Sequence, residues 1–262
     1  MGTKRFLDRI DTKNSPTNRN RDTMGNFLKK TKMFSVDFFS KSILYEDNHL
    51  LVLNKPSGIA TMGTYAGEDS LFTIAQQYIR IKYNKQGSVY LGVVSRLDLP
   101  VSGVVVFAKT SKAASRLNEQ FRDHSVQKVY LALVKGKIQP DSAMLTDMIC
   151  EDKLRRNLWI SHDTNNKLQQ ITVKEACLQY HVLKRLSKST LVEILLLTGR
   201  KHQIRLQLAH KGNPIIGDGK YGASPLDHQG ICLLSYKLTL THPTTKKTMI
   251  FTAPLPNWAY FK

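Results

Sequence analysis

Acidic residues are scarce in this chain: 20 Asp and Glu stand against 39 Lys and Arg over 262 residues, a formal net charge of +19. Such an excess of one sign draws polyanions, and nucleic acid is the usual one. Cysteine is scarce too. Cys150, Cys177 and Cys232 lie far apart and leave an odd count, which argues against a disulfide framework and for a reducing compartment. No close cysteine pair and no His-x-x-x-His run points to a metal. No run approaches the roughly 18 apolar residues that a membrane-spanning helix needs, and no long basic amphipathic helix suggests a membrane surface. What is present is an ordinary globular mixture, 41% hydrophobic and 23% charged. It is enough for a sizeable core, so whole-chain disorder and fibrous repeats are excluded. The length suits one to two domains, and no internal repeat is evident.

Residues 1–34 differ from the rest. They hold nine Lys and Arg against Asp8, Asp11 and Asp22, and the run NSPTNRNRDTMGN has no apolar period. This segment reads as a flexible basic arm, followed by one catalytic domain over residues 35–262. No apolar stretch resembles a secretory signal, and three acids are unusual in a mitochondrial transit peptide. The cytoplasm is therefore the expected compartment, with a mitochondrial address as the alternative, and a monomer is the expected state.

From Phe34 the pattern becomes globular. Residues 43–45 and 50–53 read as short strands around the polar EDNH turn, and the KPSG run ends the second. Ser70 can cap a helix in which Leu71, Ile74, Ala75, Tyr78 and Ile79 share one face. Residues 104–108 read as a buried strand, followed by a helix capped by Thr110 or Ser111. Residues 129–134 are apolar throughout and suit a strand covered on both faces. Residues 139–175 carry no clear period. Strand patterns return at 176–183 and 191–197, a helix is expected over 202–211 with Gly212 as its stop, and strands at 231–241 and 248–252 flank the HPTTKK turn. Strands outnumber helices and several follow one another directly. That order predicts an α+β fold with a mixed, largely antiparallel sheet and flanking helices.

Three segments could carry chemistry. In GVVSRLDLPVSG, Arg96 and Asp98 sit two residues apart in a loop just before a buried strand. They form either a local ion pair closing a turn or a loop acid presented on a rigid scaffold. In LLTGRKHQIRLQ a strand ends at Gly199, and Arg200, Lys201, His202 and Arg205 crowd the start of a helix. Cations there oppose the helix dipole, so an anionic partner explains them better than stability does: a phosphate backbone, a buried carboxylate, or both. The competing reading is an ordinary solvated basic face. In KVYLALV, Tyr130 is by default a core tyrosine with its hydroxyl at the rim.

Together these segments resemble the RluA-type RNA pseudouridine synthase family. ILYEDNHLLVLNKPSGI resembles its opening strand pair, SRLDLPVSGVVVFAKTSKAA the segment with its aspartate, KVYLALVKG its tyrosine strand, and LLLTGRKHQIRLQLAHKGNPIIGDGKYG its arginine motif, all in the family's order. The resemblance runs from about Ile43 to Thr252. It implies an isomerase that converts uridine in structured RNA, ribosomal or transfer RNA, to its C-glycoside isomer in a central RNA-binding cleft, with no cofactor and no metal. Asp98 then corresponds to the essential carboxylate, either nucleophile or base. Arg205 corresponds to the arginine that pairs with it, expected here as a two-pronged clamp. Tyr130 matches the tyrosine that stacks on the base, and Arg96 the arginine that enters the stack when the uridine flips out. Leu97, Arg200, Lys201, His202, Gln203 and Ile204 are the remaining expected substrate contacts. Ser95 and Val101 depart from the family's usual His and Thr. Only the basic arm precedes the match, where many relatives carry a small RNA-binding domain, so short stem-loops are the favoured targets. An RNA-binding factor of the same fold is the rival reading, and the survival of Asp98, Tyr130 and Arg205 weighs against it.

Overall fold

The computed structural model describes residues 36–63, 69–152, 154–155, 157–161, 171–226 and 230–260. The expected basic arm, residues 1–34, lies outside the described residues. The elements run α1 (Val36–Ser42), β1 (Ile43–Glu46), β2 (Leu50–Lys55), α2 (Leu71–Lys82), β3 (Gly92–Val93), β4 (Ser102–Ala108), α3 (Ser111–Arg122), β5 (Gln127–Lys135), β6 (Ser142–Asp152), β7 (Asn157–Ile160), β8 (Ile171–Arg185), β9 (Ser189–Leu196), α4 (Gln203–His210), β10 (Leu233–Thr241) and β11 (Thr248–Thr252). Among the described residues no helix is long and apolar enough to cross a membrane.

Local chemistry explains most boundaries. The EDNH turn closes because Asp47 Oδ1 accepts the backbone N–H groups of His49 and Leu50, each at 2.7 Å. Helix α2 starts in a capping box: Thr73 N–H donates to Ser70 Oγ at 3.2 Å, and Ser70 N–H donates to Thr73 Oγ1 at 2.9 Å. At α3 the cap is Thr110, whose hydroxyl accepts from Ala113 N–H. Gly212, in the left-handed region at φ 85°, follows α4 as its stop.

The described strands form one sheet in the order β1-β2-β4-β10-β5-β9-β8-β6-β7, with β11 on β10 and β3 on β4. Every pairing is antiparallel except β4 with β10, so the sheet is mixed and largely antiparallel. Its centre is covered on both faces, which is why β2 and β4 read as unbroken apolar runs. Leu51, Leu53, Val105 and Phe107 pack against α2, whereas Leu50, Val52, Val104 and Val106 pack against α3 and β11. A third cluster gathers Ala132, Val134, Tyr180, Val192 and Ile194 under Ile204 and Leu208 of α4.

The described residues of 139–175, illegible in the sequence, are mostly a strand ribbon. Strands β6 and β8 pair continuously from Ser142–His181 to Asp152–Ile171, and β7 forms the sheet's edge. Gly103 is fixed by close approach at the parallel junction: at φ 115°, a Cβ there would stand 2.2 Å from the Ser235 carbonyl oxygen, which no side chain tolerates. That contact draws β10 against the start of β4. It aligns Gly103, Ser235 and Tyr130 in one row across three strands.

Candidate active site

The loop 94–101 between β3 and β4 carries Asp98 and is tied down from below. Leu97 donates its N–H to Thr61 Oγ1 at 3.0 Å, and the same hydroxyl donates to Leu97 O at 2.9 Å. Gly58 N–H donates to Leu99 O at 2.9 Å. Beneath it the fully buried Lys55 donates from Nζ to Ile59 O at 2.8 Å, Pro56 O at 3.0 Å and Leu99 O at 3.2 Å. Three carbonyls match the three protons of an ammonium. Burial pulls Lys55 down to about 7, against the opposing pull of the Asp98 charge. Ser95 bonds the backbone of Val106 and Val101 sits in the core, and both also line the cleft described below.

The expected clamp between Arg205 and Asp98 is divided differently. Arg205 donates from Nε to Asp218 Oδ2 at 2.7 Å and from Nη2 to Asp218 Oδ1 at 2.8 Å. Only Nη1 reaches Asp98, at 3.1 Å to Oδ2. The two-pronged face is therefore spent on Asp218, and Asp98 receives one charge-assisted bond. Side-chain exposures are 6% for Arg205, 1% for Asp218 and 25% for Asp98. The Arg205 guanidinium also lies 5.1 Å from the Tyr221 ring centroid. Burial disfavours its charge, but the two carboxylates outweigh that and raise its pKa. Asp98 Oδ1 accepts no hydrogen bond among the described residues, so one oxygen is fixed and the other is free.

His202 caps α4 in the left-handed region, φ 55° and ψ 20°, and its side chain makes no cap bond. Its Nδ1 meets Tyr221 Oη at 2.8 Å, and Nε2 stands 3.8 Å from Asp98 Oδ2. Burial lowers its pKa to about 4, so near neutral pH the imidazole is uncharged and the contact with Asp98 is not an ion pair. Tyr130 is buried yet reaches the same cavity. Burial raises its phenol to about 12, with the Ser235 hydroxyl opposing and the Asp98 charge assisting.

These groups line a cleft of about 880 Å³, room for a nucleoside. Besides Arg205, its wall carries Arg96, Arg122, Lys128, Arg200, Lys201 and Lys220, and among the described residues the one carboxylate on it is Asp98. The anionic partner expected for the α4 cations is in part carboxylate. Arg205 has its two aspartates, and Lys201 reaches Glu151 at 2.8 Å. Among the described residues the Arg200 side chain donates only to the Glu175 carbonyl, at 2.8 Å. Arg96 is exposed at the cleft and makes no ion pair with Asp98, which removes the turn-closing alternative. Leu97 lines the cleft while packing into two cores. Ile204 is buried. Gln203 is also buried, and its amide is engaged with Thr198, Arg200 N–H and the Cys177 carbonyl. Among the described residues no three His, Cys, Asp or Glu stand close enough to hold a metal.

Sequence reasoning missed Asp218, Lys55 and Thr61. Asp218 had a signal: a buried arginine offers five N–H donors, more than one carboxylate can accept, and the same motif holds an aspartate between two glycines.

Residues 49–210 match the family model described as RNA pseudouridylate synthase. The ribosomal large subunit pseudouridine synthase C of Buchnera aphidicola subsp. Baizongia pistaciae is 35% identical over 83% of this chain and 68% of its own length. The dual-specificity RNA pseudouridine synthase RluA of Haemophilus influenzae is 34% identical over 80% of this chain and 91% of its own. Among solved structures, human RNA Pseudouridylate Synthase Domain Containing 4 superimposes with a TM-score of 0.69 at 23% identity, over 90% of this chain and 94% of that one, a likeness of fold.

Proposed function

The chain belongs to the RNA pseudouridylate synthase family, and from that premise we propose that it isomerises specific uridines in structured RNA through Asp98. Membership makes it an isomerase that forms pseudouridine in RNA. The reaction breaks the C1′–N1 bond, turns the base in place and joins C1′ to C5. C5 gives up a proton and N1 gains one, so the atoms balance without a co-reactant.

One observation carries the assignment of roles: among the described residues, a carboxylate with one oxygen held by Arg205 and the other free, beside Tyr130 in a cleft whose other charged groups are cations. The free Oδ1 is the atom that attacks C1′ or takes a ribose proton, and either role requires a carboxylate that cannot swing. Arg205 orients Asp98, and Asp218 orients Arg205. Tyr130 stacks on the flipped base, and Arg96 at the cleft fills the gap that the base leaves in the helix, recovering part of the cost of flipping. Arg200 and Lys201 meet the phosphate backbone, with His202, Leu97, Gln203 and Ile204 shaping the wall around the nucleotide. The expected target is a stem-loop of ribosomal or transfer RNA, bound by a monomer in the cytoplasm.

The test is pseudouridine mapping of total RNA from cells lacking the gene, complemented with wild type or Asp98→Asn. At least one site should vanish with the gene, return with wild type and stay absent with Asp98→Asn. The Asp98→Asn protein should still bind the mapped RNA within a few-fold, because binding rests on many phosphate contacts. Restoration by Asp98→Asn would refute the role of Asp98.

A further inference from the structure

Among the described residues, Lys128 is a lysine without an anion. It lies on β5, two residues before Tyr130, and both side chains reach the same cleft. Alternation along a strand puts residues i and i+2 on one face. Its ammonium sits over the turn that ends β9: a Cβ on Gly199 would stand 3.8 Å from Lys128 Nζ. Among the described residues no carboxylate pairs with it. Its charged neighbour is Arg200, a second cation whose Nε is occupied by a carbonyl and which has no carboxylate partner either. Burial lowers the Lys128 pKa, and the Arg200 charge lowers it further. A half-buried cation beside a like charge is destabilising in the free protein. The other cleft cations are either exposed, as Arg96 and Arg122 are, or matched by carboxylates, as Arg205 and Lys201 are.

We propose that Lys128 and Arg200 form a seat for the phosphodiester of the target nucleotide, next to the base platform of Tyr130. The spacing supports this. Residues i and i+2 of a strand stand about 7 Å apart, comparable to the separation of a nucleobase from its own phosphate. A base stacked on Tyr130 thus brings a phosphate to Lys128. Arg200 closes the seat from the head of α4, and Gly199 leaves it open by having no side chain. The anion completes an electrostatic arrangement that the free protein leaves unbalanced, so this contact acts on the nucleotide being modified and not merely on RNA in general. The inference rests on the reading of the chain as an enzyme acting on uridine through Asp98 and Tyr130.

The test compares the full-length wild type with Lys128→Met, which keeps the stem and loses the charge, and with Lys128→Arg. The probe is a short RNA stem-loop with an all-uridine loop, carrying a neutral methylphosphonate at one loop linkage at a time. Dissociation constants are read at several salt concentrations, and pseudouridine formation is read separately. Lys128→Met should bind the unmodified probe about tenfold more weakly, the worth of one charge-assisted bond, and its salt slope should fall by about 0.7. One methylphosphonate position should weaken wild type and Lys128→Arg but leave Lys128→Met nearly unaffected. Without RNA, Lys128→Met should melt at a higher temperature than wild type, which a merely structural lysine would not allow. Additive losses at every linkage, an unchanged salt slope, or a lower melting temperature would each overturn the proposal. Probe binding with this coupling but no turnover by wild type would leave the phosphate seat standing and count against the enzymatic reading. Turnover without the coupling would do the reverse, and failure to bind RNA at all would remove both.

Discussion

The Arg205 cluster yields the sharpest energetic prediction, because its two carboxylates differ so strongly in burial. Replacing Arg205 with Ala strips Asp218 of two bonds of 2.7 and 2.8 Å in a site where its side chain is 1% exposed. Breaking such a buried pair costs on the order of 3–5 kcal/mol, since the remaining charge is left without compensation. In a protein of this size that corresponds to a fall of about 10 °C in Tm. The same substitution takes from Asp98 only one bond of 3.1 Å, on a side chain that is 25% exposed; screened pairs of that kind are worth about 1 kcal/mol or less. Two double-mutant cycles separate the contributions. Arg205→Ala with Asp218→Ala should show a coupling of about 3 kcal/mol, with the second substitution recovering stability lost to the first. Arg205→Ala with Asp98→Ala should show no more than about 1 kcal/mol. Single-turnover rates should fall in Arg205→Ala and nearly as far in Arg205→Lys, because an ammonium cannot grip Asp218 with one edge and Asp98 with another. Equal couplings in the two cycles, or a larger one with Asp98, would refute the division of the guanidinium described here. Normal turnover by Arg205→Ala would refute its part in orienting Asp98.

The parts of the fold that were legible are those where one local rule decides. The Ser70 cap, the EDNH turn and the apolar runs of β2, β4 and β5 each depend on residues within a few positions, and each element is found where expected. The β6–β8 ribbon obeys no such rule. Along β6, exposed and half-buried residues alternate only over Ser142–Asp147, with Met144 among the exposed and Asp147 among the half-buried, and Ile149 and Cys150 are then buried in succession, so no face carries a continuous apolar period. Its strands exist because each supplies the other's hydrogen bonds, a relation between residues some 30 positions apart. The short β3 was missed for the same reason, being defined by its pairing with Phe107 and Ala108.

The site was legible as a set of residues and illegible as a geometry. Asp98, Tyr130 and Arg205 converge on one cleft, as the motifs imply. That Arg205 is shared could not be read from spacing, because Asp218 reaches it through a turn 13 residues later whose path depends on the isolated pairing of Gly217 with Pro225. Lys55 was read as a strand end. Its role emerges only when the loop 44 residues away folds over its ammonium. Buried charges satisfied by distant partners are what a linear reading loses, since the chain records the donor and the acceptor but not their meeting.

Two further predictions follow from charge. Deleting residues 1–34, with nine Lys and Arg, should weaken RNA binding and flatten its salt dependence by about 0.7 per lost phosphate contact while leaving Tm unchanged; an unchanged slope in filter-binding titrations would show that the arm does not touch RNA. The last prediction concerns His202, held neutral by burial with a pKa of about 4 against an ordinary 6.5. Between those values the unfolded chain binds a proton that the folded chain refuses, so stability rises with pH across this window. The contribution is present in full above pH 6.5 and is lost as the pH falls to 4, at about 1.4 kcal/mol per unit and so about 3 kcal/mol in all. Carboxylates act in the same direction. Glu46, lowered to about 2 even against its burial by bonds from Lys109, Lys82 and Tyr83, keeps its contribution above about 4.5 and loses it as the pH falls to 2, mostly below the histidine window. Comparing wild type with His202→Gln removes that shared background. Chemical denaturation from pH 7 to pH 4 should show the wild type losing about 3 kcal/mol more than the variant, with most of the difference accumulated between pH 6 and pH 4.5. Parallel stability curves for the two proteins would mean that the folded chain protonates His202 as readily as the unfolded one does, and that the imidazole beside Asp98 becomes charged below about pH 6.5.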